Sequence, residues 1–217
     1  MSALRIVALC VFALTLGACA STQTVKIDQK AGVQMQGKSV AVTTSDRPPF
    51  AAMTAGHGMF AMMGALAALD QGGKLIQEND VPDPAVHIGK ALSAGLQAQY
   101  AVQLQDAQHP GEEAAVDQLV KAHPDAAFLL DVRTINWSFI YFPTDWNNYR
   151  VIYSAQTRLI DTASAKVVAQ AFCSRVPDQT PDSPSYDQLL ANNAQRLKDE
   201  LLVAADHCVN EFRSKLF

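Results

Sequence analysis

Four cysteines, five histidines and a scatter of carboxylates and aromatic residues are the side chains of this 217-residue chain that could do chemistry. Covalent catalysis needs a nucleophile held against a base, and the nearest approach in sequence is His207 beside Cys208. On a helix, adjacent residues point about 100° apart and do not face each other. No two of His57, His87, His109, His123 and His207 stand at metal-ligand spacing. Glu78, Asp80 and Asp83 could gather around a cation, but Asp83 precedes Pro84 and reads more simply as a helix cap. Leu92-Ser93-Ala94-Gly95 lacks the full nucleophile elbow. Gln71-Gly72-Gly73-Lys74 lacks the spacing and the hydroxyl of a phosphate loop, and reads as a helix stop. The residues best suited to binding are Asp145, Trp146, Asn147 and Tyr149 around a polar turn, with Trp137 near them. Tryptophan and asparagine there could stack on, and hydrogen-bond to, a sugar or peptide. Packing of the same aromatics into the domain is the alternative. No catalytic residue, metal or cofactor is expected.

The cysteines carry a clearer message. Residues 1–5 form a short, weakly basic head, and Ile6 to Leu16 are eleven uncharged residues. Gly17 and Ala18 then precede Cys19. This is the layout of a secretory signal, and eleven apolar residues fall short of the ~20 that span a bilayer. Leu16-Gly17-Ala18-Cys19 resembles the lipobox of bacterial lipoproteins. The resemblance implies cleavage before Cys19, acylation of Cys19 and a membrane link through that anchor. Residue 20 is alanine. An aspartate there holds such proteins at the inner membrane in enterobacteria-like sorting, so its absence implies the outer membrane, on the periplasmic side. Cys10 leaves with the signal and Cys19 is acylated, which leaves Cys173 and Cys208 as an even pair in an oxidising compartment. A bridge between them, two buried thiols, or a reactive one are the options.

Removing residues 1–18 takes away Arg5 alone, so the mature chain carries 16 basic against 21 acidic side chains. That balance argues against a nucleic-acid surface. The size suits one domain with a substantial core. The expected organisation is a signal at 1–18, an acylated cysteine and flexible tether at 19–37, and one domain at 38–217 with an Ala/Met/Gly-rich helical insertion at 50–73.

Lys38 to Thr44 reads as a first strand. Phe50 to Leu69 holds no charged residue. Its alanines and glycines add little transfer energy, which argues for a close-packed helix or a partner surface over a membrane span. Asp83-Pro84 opens a helix with Ile88, Leu92 and Leu96 on one stripe. Tyr100 to Gln105 alternates as a strand, His109 to Gly111 is a turn, and Glu112 to Ala122 is a short helix. Ala126 to Phe142 is strongly β-forming but changes phase, which predicts a bulge near Arg133-Thr134. Tyr149 to Asp161 is the return strand and Lys166 to Val176 the last one. Ser185 and Gln188 have capping-box spacing at the start of a final helix. Its stripe runs through Leu190, Ala194, Leu197, Leu201, Ala205, Cys208 and Phe212. Cys173 lies on the apolar face of the last strand, so sheet and helix would present the two thiols to each other. This favours the bridge.

The expected fold is α/β (α+β), a mixed five-stranded sheet packed by helices in the order β-α-α-β-α-β-β-β-α. This order resembles the small domain in the amino-terminal part of TolB and in the curli-secretion lipoprotein CsgG. Asp125-Ala-Ala-Phe-Leu-Leu-Asp-Val132 resembles the family's helix-to-strand junction. Tyr153 to Asp161 followed by Lys166-Val167-Val168 resembles its hairpin, although the turn Thr162-Ala-Ser-Ala165 lacks the family's usual glycine. The resemblance implies a non-catalytic envelope module that binds or assembles with a protein, a polymer or copies of itself. A cell-envelope hydrolase with an unrecognised site is the alternative.

Overall fold

The computed structural model describes residues 23–58, 61–106 and 115–217. Cys10, Cys19, the turn at His109 to Gly111 and the residues Glu112 and Glu113 lie outside them. The elements in order are α1 (Gln29–Met35), β1 (Ser39–Thr44), β2 (Ala51–Met53), α2 (Ala55–Gly58), α3 (Ala61–Glu78), α4 (Pro84–Tyr100), β3 (Gln103–Asp106), α5 (Val116–Ala122), β4 (Phe128–Phe142), β5 (Asp145–Asp161), β6 (Lys166–Arg175) and α6 (Tyr186–Leu216).

The sheet runs β3-β1-β4-β5-β6, with β2 on the same side of β4 as β1. β1 pairs in parallel with β3 and β4, and β4-β5-β6 form an antiparallel meander. The fold is therefore mixed α/β, as expected, but the strands number six. The extra one, β2, pairs Ala51 to Met53 alongside Ser138 to Ile140. Ala-Ala-Met has no β-branched residue, and the sheet recruits it because β4 extends well past the end of β1. The phase change in β4 is a register shift between Thr134 and Asn136, where Ile135 turns outward.

One face of the sheet carries the main core under α4 and α6. Ile88, Leu92 and Leu96 of α4 are buried there. Asp83 caps that helix, accepting from Ala85 N at 2.9 Å, and the same carboxylate accepts from Thr134 Oγ1 at 2.5 Å. Thr134 Oγ1 in turn lies 3.1 Å from Tyr153 Oη. The helix start is thus tied to the β4 bulge, and burial pushes the Tyr153 phenol far above its ordinary range. A smaller core of Ala41, Leu119, Ala126, Leu129 and Ile160 sits on the opposite face under α5.

Cys173 and Cys208 are both buried and form a disulfide, with Cα atoms 5.5 Å apart. In α6 the capping box is present: Ser185 Oγ accepts from Gln188 N at 3.2 Å, and Gln188 Oε1 accepts from Ser185 N at 2.8 Å. The apolar stripe is buried from Ala194 through Phe212, but the first turn buries Leu189 more deeply than Leu190. The cause is a break at Ala191 to Ala194, where Asn192, Asn193 and Ala194 adopt left-handed φ of 53°, 58° and 53°. That shifts the phase of everything before it.

Two further expectations are corrected. Residues 23–37 are not a free tether. Val25 pairs with Gln170 at the edge of β6, and α1 is capped by Asp28, which accepts from Ala31 N at 2.7 Å. Ala31 and Met35 of α1 are buried. Gly72-Gly73 is not a helix stop either; it lies inside α3. A Cβ on Gly72 would sit 2.0 Å from the Phe50 carbonyl oxygen, whereas one on Gly73 would meet nothing within 4 Å. Gly72 is what lets α3 approach the strand entry. Gly72→Ala is expected to lower stability by about 1–3 kcal/mol, and Gly73→Ala to raise it by about 0.5–1 kcal/mol. Paired thermal melts check this contrast; equal effects would contradict the close approach.

Candidate functional site

The aromatic and polar residues singled out around the β4–β5 turn do not converge. Trp137 is buried beneath the residues that precede β2: its Nε1 donates to the Pro48 carbonyl at 2.7 Å, Arg47 lies over its ring at 5.0 Å, and Phe50 meets it edge-on at 5.2 Å. Tyr149 is also in the core, edge-on to Phe139 at 5.6 Å and beside Tyr186 at 5.9 Å. Burial raises the Tyr149 phenol. Both rings are scaffold for the hairpin tip.

Asp145, Trp146 and Asn147 do stand together at that tip. Asp145 accepts from Asn148 Nδ2 at 2.6 Å, from Asn147 N at 3.1 Å and from Gln179 Nε2 at 3.1 Å. The Asn148 side chain, then the Asn147 amide, hold its carboxyl below the ordinary carboxylate range. Trp146 is 59% exposed, donates from Nε1 to the Pro143 carbonyl at 3.2 Å and rests its edge on Tyr141. An indole held in place at a surface is a ready stacking platform. The stability that Asp145 adds to this turn is present at neutral pH. It is lost as the pH falls through the lowered pKa of the folded state. The indole N–H resonance of Trp146 is expected to shift in that acidic window, and Asp145→Asn is expected to abolish the shift.

The segment from Val176 to Ser185 runs beside the tip. Tyr149 N donates to the Pro184 carbonyl at 2.8 Å, and Asn148 bridges to Ser185. Thr144 Oγ1 donates to Gln179 Oε1 at 3.2 Å. Between this segment and the start of α6 lies an open cavity of about 620 Å³, lined by Pro181, Asp182, Gln188, Ala191 and Arg196. It shares Arg196 and Asp182 with a second hollow of about 150 Å³, which adds Arg175 and Glu200. Glu200 holds both arginines: its Oε1 is 2.9 Å from Arg196 Nη2 and its Oε2 is 3.8 Å from Arg175 Nη1. The left-handed turn at Asn192 to Ala194 borders the larger cavity. Consecutive non-glycine residues in that conformation carry a cost of roughly 1–2 kcal/mol each and concentrate where chains bind ligands. Sequence reasoning missed this wall. The only signal was Asn192-Asn193 interrupting a helical stripe, since asparagine tolerates left-handed backbone.

Tip and groove together make a polar, hydrogen-bonding surface with one exposed tryptophan. Among the described residues, His87 and His207 stand elsewhere. His87 Nε2 lies 2.7 Å from Asp206 Oδ1, with both side chains exposed between α4 and α6, and neither lines the cavities just described. His207 and Glu211 lie within 4.8 Å of the Cys173 sulfur, but that sulfur is spent in the disulfide. Cys208 is spent in the same bond, so the adjacent His207 has no thiol to activate. Among the described residues no helix is long and apolar enough to cross a membrane.

The chain matches no protein-family model and no curated protein. Similar solved structures include protein XCC0632 from Xanthomonas campestris, at 10% identity over 87% of this chain and 90% of that one, with a TM-score of 0.39. PelC from Paraburkholderia phytofirmans, a dodecamer, is 16% identical over 83% of this chain and 89% of that one, with a TM-score of 0.34. Lipoprotein GNA1162 from Neisseria meningitidis is 14% identical over 80% of this chain and 99% of that one, with a TM-score of 0.29. At identities of this order a shared function does not follow.

Proposed function

We propose that the mature protein is a non-catalytic binding or assembly module of the bacterial cell envelope, held at the periplasmic side of the outer membrane by an acyl chain on Cys19. The observation that carries this reading is the buried Cys173–Cys208 disulfide. Such bridges persist in oxidising compartments, which is where the signal-like residues 1–18 would deliver the chain. The resemblance to the TolB and CsgG domains supports an assembly role in the same compartment. The hairpin tip and the adjoining groove are the surface assigned to the partner, a protein or polymer of the envelope. Exposed tryptophan and arginine side chains are the residue types that dominate binding energy at such surfaces.

The test is co-purification of the acylated protein from detergent-solubilised envelope after cross-linking. Trp146→Ala and Arg196→Ala are expected to lose most of a specific cross-linked species while melting at the wild-type temperature. Retention of every species in both variants would move the partner surface elsewhere.

Self-association is a second reading, favoured by the outward face of α3. Met63, Leu66 and Leu69 are exposed there, with Met63 at 78%. Apolar side chains lined up on a helix surface mark contact sites. Light scattering coupled to size exclusion is expected to show a concentration-dependent oligomer that Leu66→Glu abolishes; a monomer at all concentrations would exclude it.

A further inference from the structure

Cys19 is separated from the folded domain by very little chain. Gln23 O accepts from Gln170 Nε2 at 3.0 Å. Val25 N donates to Gln170 O at 2.8 Å, and Gln170 N donates to Val25 O at 2.9 Å. Ile27 N donates to Leu216 O at 3.1 Å. The segment is therefore pinned to the β6 edge from Gln23 onward. Four residue steps from Cys19 to Gln23 span at most about 14 Å when fully extended. A lipid-anchored domain with so short a lead cannot stand off from the bilayer. It must lie against the surface on the side where the lead attaches.

That side has the chemistry for it. Val25 is 40% exposed at the β6 edge, and Val33, 66% exposed, lies farther along α1 toward Tyr100. Lys26 and Lys30 are exposed beside them. Residues 23–30 hold two lysines, Lys26 and Lys30, and one aspartate, whereas the mature chain as a whole has more acidic than basic side chains. Lysines close to a bilayer are drawn to anionic headgroups within about a Debye length, ~10 Å. Small exposed aliphatics next to them suit the headgroup boundary. The opposite edge of the sheet, β3, lies four strand spacings away from β6, about 19 Å at 4.8 Å per spacing.

We propose that the β6 edge at Val25 and Lys26, with Lys30 where α1 begins beside it, is a docking surface for the phospholipid headgroup layer, and that the β3 edge faces away from the membrane. This rests on the reading of Cys19 as acylated. The consequence is orientation: whatever the domain binds meets it close to the membrane surface, with the stretch of the β6 edge around Gln170 unavailable.

The test uses the full-length acylated protein in phosphatidylcholine/phosphatidylglycerol vesicles that contain headgroup-nitroxide phosphatidylcholine. A bimane fluorophore is placed through Lys26→Cys or, separately, through Leu104→Cys on the β3 edge. The native disulfide is buried and does not compete for the label. Quenching is expected to be several-fold stronger at position 26 than at 104. A Gly/Ser insertion of about 20 residues after Ala20, with a root-mean-square span of about 25 Å, is expected to erase most of that difference. The insertion lies ahead of every element of the fold, and an unchanged melting temperature verifies this. Equal quenching at the two positions in acylated protein, or a difference that survives the insertion, would overturn the docking surface while leaving the anchor intact. Intact mass without an acyl group, with no flotation on vesicles, would overturn both the anchor and the surface.

Discussion

Asp131→Ala is expected to destabilise the domain by about 3–5 kcal/mol, because it strips a largely buried guanidinium, its side chain 12% exposed, of its carboxylate. Asp131 is fully buried in β4. Its Oδ2 lies 2.7 Å from Arg158 Nη2 and accepts from Arg158 Nε at 2.9 Å, and its Oδ1 accepts from Thr43 Oγ1 at 3.0 Å. Three adjacent strands, β1, β4 and β5, are joined through this one side chain. Two charges taken out of water gain little over a well-packed apolar pair, whereas breaking one side of the pair leaves the other desolvated and poorly compensated. Asp131→Leu combined with Arg158→Met is therefore expected to fall much nearer to wild type than Asp131→Ala alone. Urea denaturation of the three proteins measures this. A cost below about 1 kcal/mol for Asp131→Ala would mean that the ion pair behaves like an exposed one.

Loss of the Cys173–Cys208 bridge is expected to cost about 4 kcal/mol, the chain-entropy value for a loop of this length. The two cysteines are 35 residues apart and join β6 to the C-terminal half of α6, the helix that covers much of the main core. In a domain of this size each kcal/mol moves the melting temperature by roughly 2–4 °C, so Cys173→Ala with Cys208→Ala is expected to melt about 8–16 °C lower. Oxidised wild-type protein and the double variant are compared by calorimetry. Indistinguishable melts would show that the sheet and α6 hold together without the bridge.

The disulfide was legible in the sequence because two independent periodicities placed the thiols. The alternation of β6 put Cys173 inward, and the three-and-four spacing of α6 put Cys208 inward. The bulge in β4 was legible for a similar reason: one residue too many shifts every side chain after it to the other face, as Ile135 does. The parts that stayed hidden have no such signature. β2 is three small residues drawn into the sheet by β4, and α1 has only two buried side chains, Ala31 and Met35, in a polar stretch. Gly72-Gly73 has the composition of a helix end, yet it marks where helix and strand entry approach too closely for a Cβ. At the candidate site, a turn is present but tighter than predicted, at Pro143-Thr144 with β5 already starting at Asp145, and two of the five candidate binding residues, Trp137 and Tyr149, are packed inside. The groove wall formed by Arg175, Arg196 and Glu200 depends on a break in α6 that helical periodicity conceals.

The anchor on Cys19 is the claim on which the envelope reading turns. Its most direct test is metabolic labelling with an alkyne fatty acid, followed by membrane fractionation of wild-type and Cys19→Ser protein. The account predicts that the wild type carries the label and sediments with the outer membrane. Cys19→Ser is predicted to carry none and to remain an unprocessed precursor or appear as soluble periplasmic protein. Equal labelling of the two proteins, or a wild type without label, would contradict it.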